Sequence, residues 1–157
     1  MAVDGLDLFT PELVFLDMDC TDRDDFFKKM FAELSERGYV EDTWYKAITE
    51  REEHYPTGLM SATCSVAIPH TEPENVKHAY IAVIKPKHPI EFNFMGGMGD
   101  PVQAELIFNL GIKRKGDDQV KMLQTLMNFC MNDEAVAAIK DANTPQAVME
   151  CINKYFE

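Results

Sequence analysis

Two apolar runs constrain the fold of this chain more than any other feature. One lies within a strand-like stretch from Val76 to Ile84 and is almost unbroken over residues 79–84, and the other spans Val102 to Leu110. Both have the length of strands and are rich in side chains that strands favour. A strand with one face in water alternates apolar and polar residues, whereas these runs hardly alternate. They predict strands covered on both faces, in a central sheet between helical layers.

Amphipathic helices are predicted before these strands. Residues 21–37 form the first, with Thr21 or Asp22 as its cap and Gly38 as its stop. A second helix is expected from about residue 42 to residue 53. The apolar stripe of the first helix repeats at spacings of three and four: Phe26, Phe27, Met30, Phe31 and Leu34.

The last third of the chain is predicted to be helical. Asp117 or Asp118 can cap one helix, and a shorter one is expected over residues 135–139. Thr144-Pro145 starts another, because a capping hydroxyl precedes proline at the first helical position. These helices and the strands predict an α/β sandwich with a mixed sheet. The helix after residue 117 carries an apolar stripe: Val120, Leu123, Leu126, Met127 and Cys130.

Length and charge limit the possible functions. At 157 residues the chain can bury a core without disulfides or metals, so we expect residues 1–157 to form a single domain. The net charge of −12 argues against binding to nucleic acid or to anionic membranes. No apolar run approaches the roughly 18 residues that span a bilayer, and the N-terminus lacks the pattern of a signal peptide. We therefore expect a cytoplasmic protein with reduced, structural cysteines.

The segment Val66-Ala67-Ile68-Pro69-His70 places a histidine directly after a short apolar strand and a proline. Pro69 fixes its own φ and favours extended backbone before it, so His70 leaves the sheet in a constrained direction. A histidine held in this way suits acid–base chemistry, metal ligation or covalent carriage of a phosphoryl group. A histidine that only hydrogen-bonds at a strand end fits the same pattern.

Three groups of residues resemble the EIIA components of the bacterial sugar phosphotransferase system, of the fructose–mannitol–galactitol type. They are Arg51-Glu52-Glu53, Thr57-Gly58 and Ala67-Ile68-Pro69-His70. The segments Asp42-Thr43-Trp44 and 55–60 are most similar to the galactitol branch. The resemblance extends, more weakly, over nearly the whole chain.

The resemblance implies a three-layer α/β/α sandwich with a central mixed sheet, and a phosphotransferase that needs neither cofactor nor metal. It further implies that His70 accepts phosphate from phospho-HPr and passes it to a cysteine of an EIIB partner, for galactitol or a related sugar. Arg51 matches the arginine that lines the phosphorylation site, where its planar guanidinium can contact phosphate bidentately. The alternative is a solvent-exposed Arg51 that only pairs with Glu50 or Glu53.

The two carboxylates after Arg51 are candidates for supporting the phosphate site. Glu53, or its neighbour Glu52, could orient Arg51 or a ring nitrogen of His70. Carboxylates exposed at the end of a helix are the commoner case.

Three other positions complete the candidate site. The hydroxyl of Thr57 could donate to a phosphate oxygen or only stabilise a turn. Gly58 permits a positive φ and a close approach of the backbone. Gln119 stands where mannitol and fructose members often carry a second histidine; glutamine can hydrogen-bond to phosphate but cannot titrate.

Two other functions fit the same residues. A regulatory domain of this fold would take phosphate and signal through protein contacts, and a non-catalytic interaction domain would use His70 only structurally. The basic run 113–115 is expected either to steer anionic partners, with an effect that salt weakens, or to be a solvated loop.

Overall fold

The computed structural model describes residues 6–97, 99–113 and 117–156. None of the helices in these ranges has the length and apolar character needed to cross a bilayer. The strands are β1 (Phe9–Met18), β2 (Gly58–Met60), β3 (Ser65–Ala67), β4 (Tyr80–Pro86), β5 (Ile90–Phe92) and β6 (Val102–Gly111). The α-helices are α1 (Arg23–Glu36), α2 (Trp44–His54), α3 (Asp117–Cys130), α4 (Asp133–Asp141) and α5 (Pro145–Tyr155).

The strands form one mixed sheet in the order β1-β4-β6-β3-β2, and β5 pairs with β6. β4 runs parallel to β1, and β3 runs parallel to β6, whereas the other pairs are antiparallel. The two strands predicted from apolar runs, β4 and β6, lie side by side in the middle. This mixed sheet between helices confirms the predicted fold class.

Both faces of the central strands are covered, as their unbroken apolar runs require. On β4, Ile81 and Val83 face a core shared with α3, α4 and α5, while Ala82 and Ile84 face a core shared with α1 and α2. Successive side chains of a strand point to opposite faces of the sheet, so neighbouring residues in an apolar run pack into two separate cores. The two cores make the three layers.

Local capping signals place the helix starts. Asp22 accepts a hydrogen bond from the backbone N–H of Asp25 at 2.8 Å, and Thr144 accepts one from Ala147 at 3.1 Å. Both caps satisfy amide groups that the first turn leaves unpaired. The prediction for Val120 is wrong, because its side chain is 59% exposed. Met122 is buried instead, two positions further along α3.

The sequence did not predict β1. This strand lies at the edge of the sheet, where Pro11 removes no hydrogen bond that a neighbouring strand needs. Its pairing with β4 shifts register between Phe9 and Val14, which breaks the regular alternation of buried side chains. An irregular edge strand leaves no clear period in the sequence.

The cysteines are free thiols, as expected. Cys20, Cys64 and Cys130 are buried, and Cys151 is half-buried. Burial raises the pKa of the Cys20 thiol to about 11. A thiol that stays protonated at neutral pH is a poor nucleophile, which favours a structural role.

Candidate functional site

The end of β3 positions His70 against the central strand β6. The backbone N–H of Leu110 donates to the carbonyl of Pro69 at 3.0 Å, and His70 continues this parallel pairing for one residue. His70 is only 7% exposed. Its side chain therefore enters the protein from a rigid sheet position, where the reactive atom can be held in one orientation.

One hydrogen bond settles which ring nitrogen of His70 is available for chemistry. Nδ1 lies 2.9 Å from the carbonyl oxygen of Ile68. A carbonyl can only accept, so Nδ1 carries the proton and Nε2 carries the lone pair. Burial lowers the pKa of His70, and the positive charge of Arg51 lowers it further. His70 is thus a neutral imidazole at pH 7, with a nucleophilic Nε2.

Arg51 reaches the same site from the last turn of α2. One of its terminal nitrogens donates to Oε1 of Glu72 at 2.9 Å, and its guanidinium lies 5.3 Å from the centre of the Tyr55 ring. The partner carboxylate is therefore Glu72, not Glu50 or Glu53. This ion pair links α2 to the loop that follows His70.

His70 and Arg51 line one cavity of about 580 Å³. His70 Nε2 and Arg51 Nε are both buried and have no hydrogen-bond partner among residues 6–97, 99–113 and 117–156. A buried polar atom without a partner is costly, and at the wall of a cavity a bound ligand can supply the missing partner. A lone pair and a guanidinium N–H in one cavity suit a group that is electrophilic at its centre and anionic at its rim. The other walls include Tyr55, Thr57, Met95, Leu123 and Met127.

The carboxylate that the fold buries is Glu52, not Glu53. Glu52 is 2% exposed and accepts hydrogen bonds from the backbone N–H and the hydroxyl of Thr57, at 2.7 and 2.8 Å. These bonds fix the turn between α2 and β2, which forms one wall of the cavity. Glu53 is exposed and lies outside the residues that line the His70 cavity.

Burial raises the pKa of Glu52 to about 7, against the hydrogen bonds from Thr57, which lower it. The folded chain then holds this proton more tightly than the unfolded chain, so the stabilisation it gives is lost as pH rises toward 7. In wild type, the free energy of unfolding should therefore fall by roughly 3 kcal/mol as pH rises toward 7, at about 1.36 kcal/mol per pKa unit. Urea unfolding at several pH values should show that this fall is absent in Glu52→Gln. Glu53→Gln is the matched control. Parallel stability–pH curves for wild type and Glu52→Gln would contradict the expectation.

Gly58 serves the site through close packing alone. The expected positive φ is wrong, since Gly58 is absent from the glycines with φ above zero. A Cβ at this position would lie 2.6 Å from the carbonyl oxygen of Asn93 and 2.7 Å from a methyl group of Val102. The expected close approach of the backbone is therefore present, and it seats β2 against its neighbours.

The remaining described candidates are not among the residues that line the His70 cavity. Gln119 is half-buried in the first turn of α3 and is not among the residues lining the cavity; Leu123 and Met127 of the same helix are. Lys113 donates to the carbonyl of Val76 at 2.7 Å, so it anchors the loop after His70. The rest of the basic run, residues 114 and 115, lies outside the described residues.

Sequence reasoning missed two buried polar residues behind His70. The Tyr80 hydroxyl donates to Oδ1 of Asn109 at 2.9 Å, and Nδ2 of Asn109 donates to the carbonyl of Pro69 at 3.1 Å. Both side chains are fully buried. They tie β4 and β6 to the peptide that precedes His70. The visible signal was an asparagine inside the apolar run of β6.

Replacing Asn109 by leucine is expected to lower the free energy of unfolding by roughly 1–3 kcal/mol, because it leaves the buried Tyr80 hydroxyl unpaired. The double variant Asn109→Leu with Tyr80→Phe should recover part of the loss, since it removes both partners. Urea unfolding of the two variants measures the difference. A single variant as stable as wild type would show that this network contributes nothing.

Comparison with known proteins agrees with this geometry. The family profile described as "Phosphoenolpyruvate-dependent sugar phosphotransferase system, EIIA 2" matches residues 7–155. The galactitol-specific EIIA component of the phosphotransferase system from Escherichia coli (strain K12) is 29% identical over 118 residues, which make up 75% of this chain and 77% of that protein.

Two solved structures share the fold. The nitrogen regulatory protein IIA-Ntr from Neisseria meningitidis superimposes with a TM-score of 0.76 at 20% identity, covering 94% of this chain and 97% of that one. The complex of enzyme IIAMtl and phosphorylated enzyme IIBMtl from Escherichia coli contains a chain with a TM-score of 0.70 at 19% identity, covering 92% and 98%. The chain belongs to the EIIA 2 family of the phosphoenolpyruvate-dependent sugar phosphotransferase system.

Proposed function

We propose that this chain is a phosphoryl carrier in which His70 accepts a phosphoryl group from phospho-HPr and passes it to a cysteine of an EIIB partner. Membership of the EIIA 2 family supports a general role in phosphoryl transfer. The observation that carries the assignment to His70 is that two residues lining one cavity, His70 and Arg51, each have a buried side-chain nitrogen without a partner.

The proposed first transfer uses the lone pair of His70. Nε2 attacks phosphorus, and the new N–P bond forms as the bond between phosphorus and the donor's nitrogen breaks. The Nδ1 proton stays on the ring, where the carbonyl of Ile68 accepts its hydrogen bond. The ring thereby becomes a positively charged phosphoimidazolium, from which the neutral imidazole of His70 is a good leaving group when the phosphoryl group is transferred onward. Catalysis of such a transfer depends mainly on positioning the reacting groups and on stabilising the charge of the phosphoryl group.

Arg51 supplies the charge stabilisation in this proposal. The equatorial oxygens of the moving phosphoryl group carry negative charge that a guanidinium N–H can contact through a charge-assisted hydrogen bond. Its Nε has no partner, because Glu72 pairs with a terminal nitrogen of the same guanidinium. The stack on Tyr55 restricts the guanidinium further.

The rim of the cavity suits partners that dock in turn. Tyr55 lines the cavity and is 66% exposed, and Val120 is 59% exposed on α3, the helix that contributes Leu123 to the cavity wall. Aromatic and aliphatic side chains at a rim give contact area without adding to the strongly negative charge of the chain. An EIIB partner is also in keeping with the mannitol complex, in which a chain of this fold is bound to a phosphorylated IIB enzyme.

We further propose that the transported compound is galactitol or a related sugar. The support is the 29% identity to a galactitol-specific EIIA component over three quarters of the chain. Segments 42–44 and 55–60, which flank Arg51, are the residues on which this branch was predicted from the sequence.

Incubation with phosphoenolpyruvate, enzyme I and HPr, followed by intact mass measurement, tests the proposal. We expect one acid-labile phosphoryl group per chain, lost again when an EIIB domain of the galactitol type is added. A chain that keeps its phosphate in the presence of EIIB would favour the regulatory alternative. A chain that takes no phosphate would be a non-catalytic interaction domain.

A further inference from the structure

Glu72 lies two residues after His70 and occupies one edge of the Arg51 guanidinium. The ion pair joins the Arg51 terminal nitrogen and Glu72 Oε1 at 2.9 Å, and the Glu72 side chain is 45% exposed. Burial lowers the pKa of His70 overall, and the negative charge of Glu72 acts in the opposite direction. Arg51 and His70 line one cavity, and Glu72 joins them through its ion pair with Arg51.

The backbone of Glu72 is held in place, whereas its side chain has room to move. The Glu72 carbonyl accepts hydrogen bonds from the Thr71 hydroxyl at 2.9 Å and from the Asn75 N–H at 3.2 Å. These bonds close the short 3₁₀ turn Pro73–Asn75. Rotation of the half-exposed side chain would free Arg51 without disturbing this loop.

A phosphoryl group on His70 Nε2 would bring a second anion to the same guanidinium. Such a group carries about −2 charge, and its oxygens are strong acceptors. Arginine presents its donors in a rigid fork that suits one bidentate anion. Two anions on one guanidinium repel each other. The phosphoryl group is held by its covalent bond to His70, so Glu72 is the anion that moves away.

We propose that Glu72 is a positioning residue that holds Arg51 at the cavity in the unphosphorylated chain and is displaced from it when His70 is phosphorylated. This inference rests on the proposed phosphoryl-carrier function. Loss of the ion pair and repulsion from Glu72 destabilise the phosphorylated form, so Glu72 promotes onward transfer. The Glu72 carboxylate, which Arg51 neutralises in the unphosphorylated chain, becomes an unpaired surface charge in the phosphorylated state only, which is a difference that partner proteins can recognise.

The decisive experiment compares Glu72→Gln with Glu74→Gln. Glutamine keeps an oxygen that can accept from Arg51 but removes the charge of Glu72. Glu74 lies two positions on in the same loop, is exposed, and forms no ion pair with Arg51. Both variants therefore change the net charge equally, but only Glu72→Gln alters the ion pair with Arg51.

The first readout is the equilibrium of phosphate exchange between HPr and the chain without EIIB, measured by intact mass. We expect Glu72→Gln to shift it toward the phosphorylated chain by about 2- to 5-fold, the range for a partly exposed ion pair, and Glu74→Gln to leave it near wild type. The second readout is the NMR titration of His70 in the unphosphorylated chain. The pKa of His70 should fall in Glu72→Gln only.

Each result decides between the inference and the function on which it rests. Equal exchange equilibria and equal His70 titrations in both variants would overturn the role of Glu72 while leaving the carrier function standing. A wild-type chain that takes no phosphate would overturn the carrier function and this inference together.

Discussion

His70→Ala is expected to abolish phosphorylation of the chain completely. Neither of two control substitutions, His54→Ala and His78→Ala, should reduce it. His54 is the stringent control, because it is exposed yet lines the same cavity, whereas His78 is exposed outside the lining. The physical reason is that Nε2 of His70 is a buried lone pair held by the Nδ1 bond to Ile68. Intact mass after incubation with phosphoenolpyruvate, enzyme I and HPr measures the result.

Undiminished phosphate on His70→Ala would place the carrier on another residue. Phosphate lost from His54→Ala as well would mean that the rim histidine takes part in the transfer. Because both controls change exposed side chains, their folds should match wild type by circular dichroism.

Arg51→Ala is expected to slow phosphoryl transfer by about 1,000-fold, which corresponds to about 4 kcal/mol of barrier, because a guanidinium at a transferring phosphoryl group contributes this much or more. Arg51→Lys should lose about 10-fold, or about 1.4 kcal/mol, since lysine keeps the charge but not the planar fork. Rapid-quench measurement of transfer from phospho-HPr gives the rates.

Arg37→Ala is the matched control for Arg51. Arg37 pairs with Glu33 at 3.2 Å on α1, in an ion pair of similar exposure that lies outside the His70 cavity. It should transfer phosphate at the wild-type rate. An Arg51→Ala variant that behaves like Arg37→Ala would reduce Arg51 to a structural ion-pair partner.

Features that depend on neighbours in sequence could be predicted from the sequence. The caps at Asp22 and Thr144, the apolar runs of β4 and β6, and the strand–proline–histidine junction at His70 all lie where they were expected. Each rests on forces within a few residues: a hydroxyl or carboxylate beside a free amide, a fixed φ, or the alternation of side chains along a strand. The mixed sheet between helices followed from the same local signals.

The choice between Glu52 and Glu53 shows where local signals were present but not used. Trp44, Ile48 and Glu52 are spaced by four and share the buried face of α2. A helix turns about 100° per residue, so Glu53 points away from that face. The periodicity of the helix would have identified the buried carboxylate.

The tertiary structure alone decided which distant residues meet at His70. Arg51 and Glu72 are 21 residues apart, and Asn109 reaches the Pro69 carbonyl across 40 residues. These pairs form because β3 is placed beside β6 and α2 packs over the adjoining turn, an arrangement set by the simultaneous burial of both cores. Burial depends on how the whole chain packs, so these contacts cannot be predicted from any short stretch of sequence. The sequence by itself determined the strand–proline–histidine junction that presents His70, whereas the sheet order determined the groups that surround this candidate nucleophile.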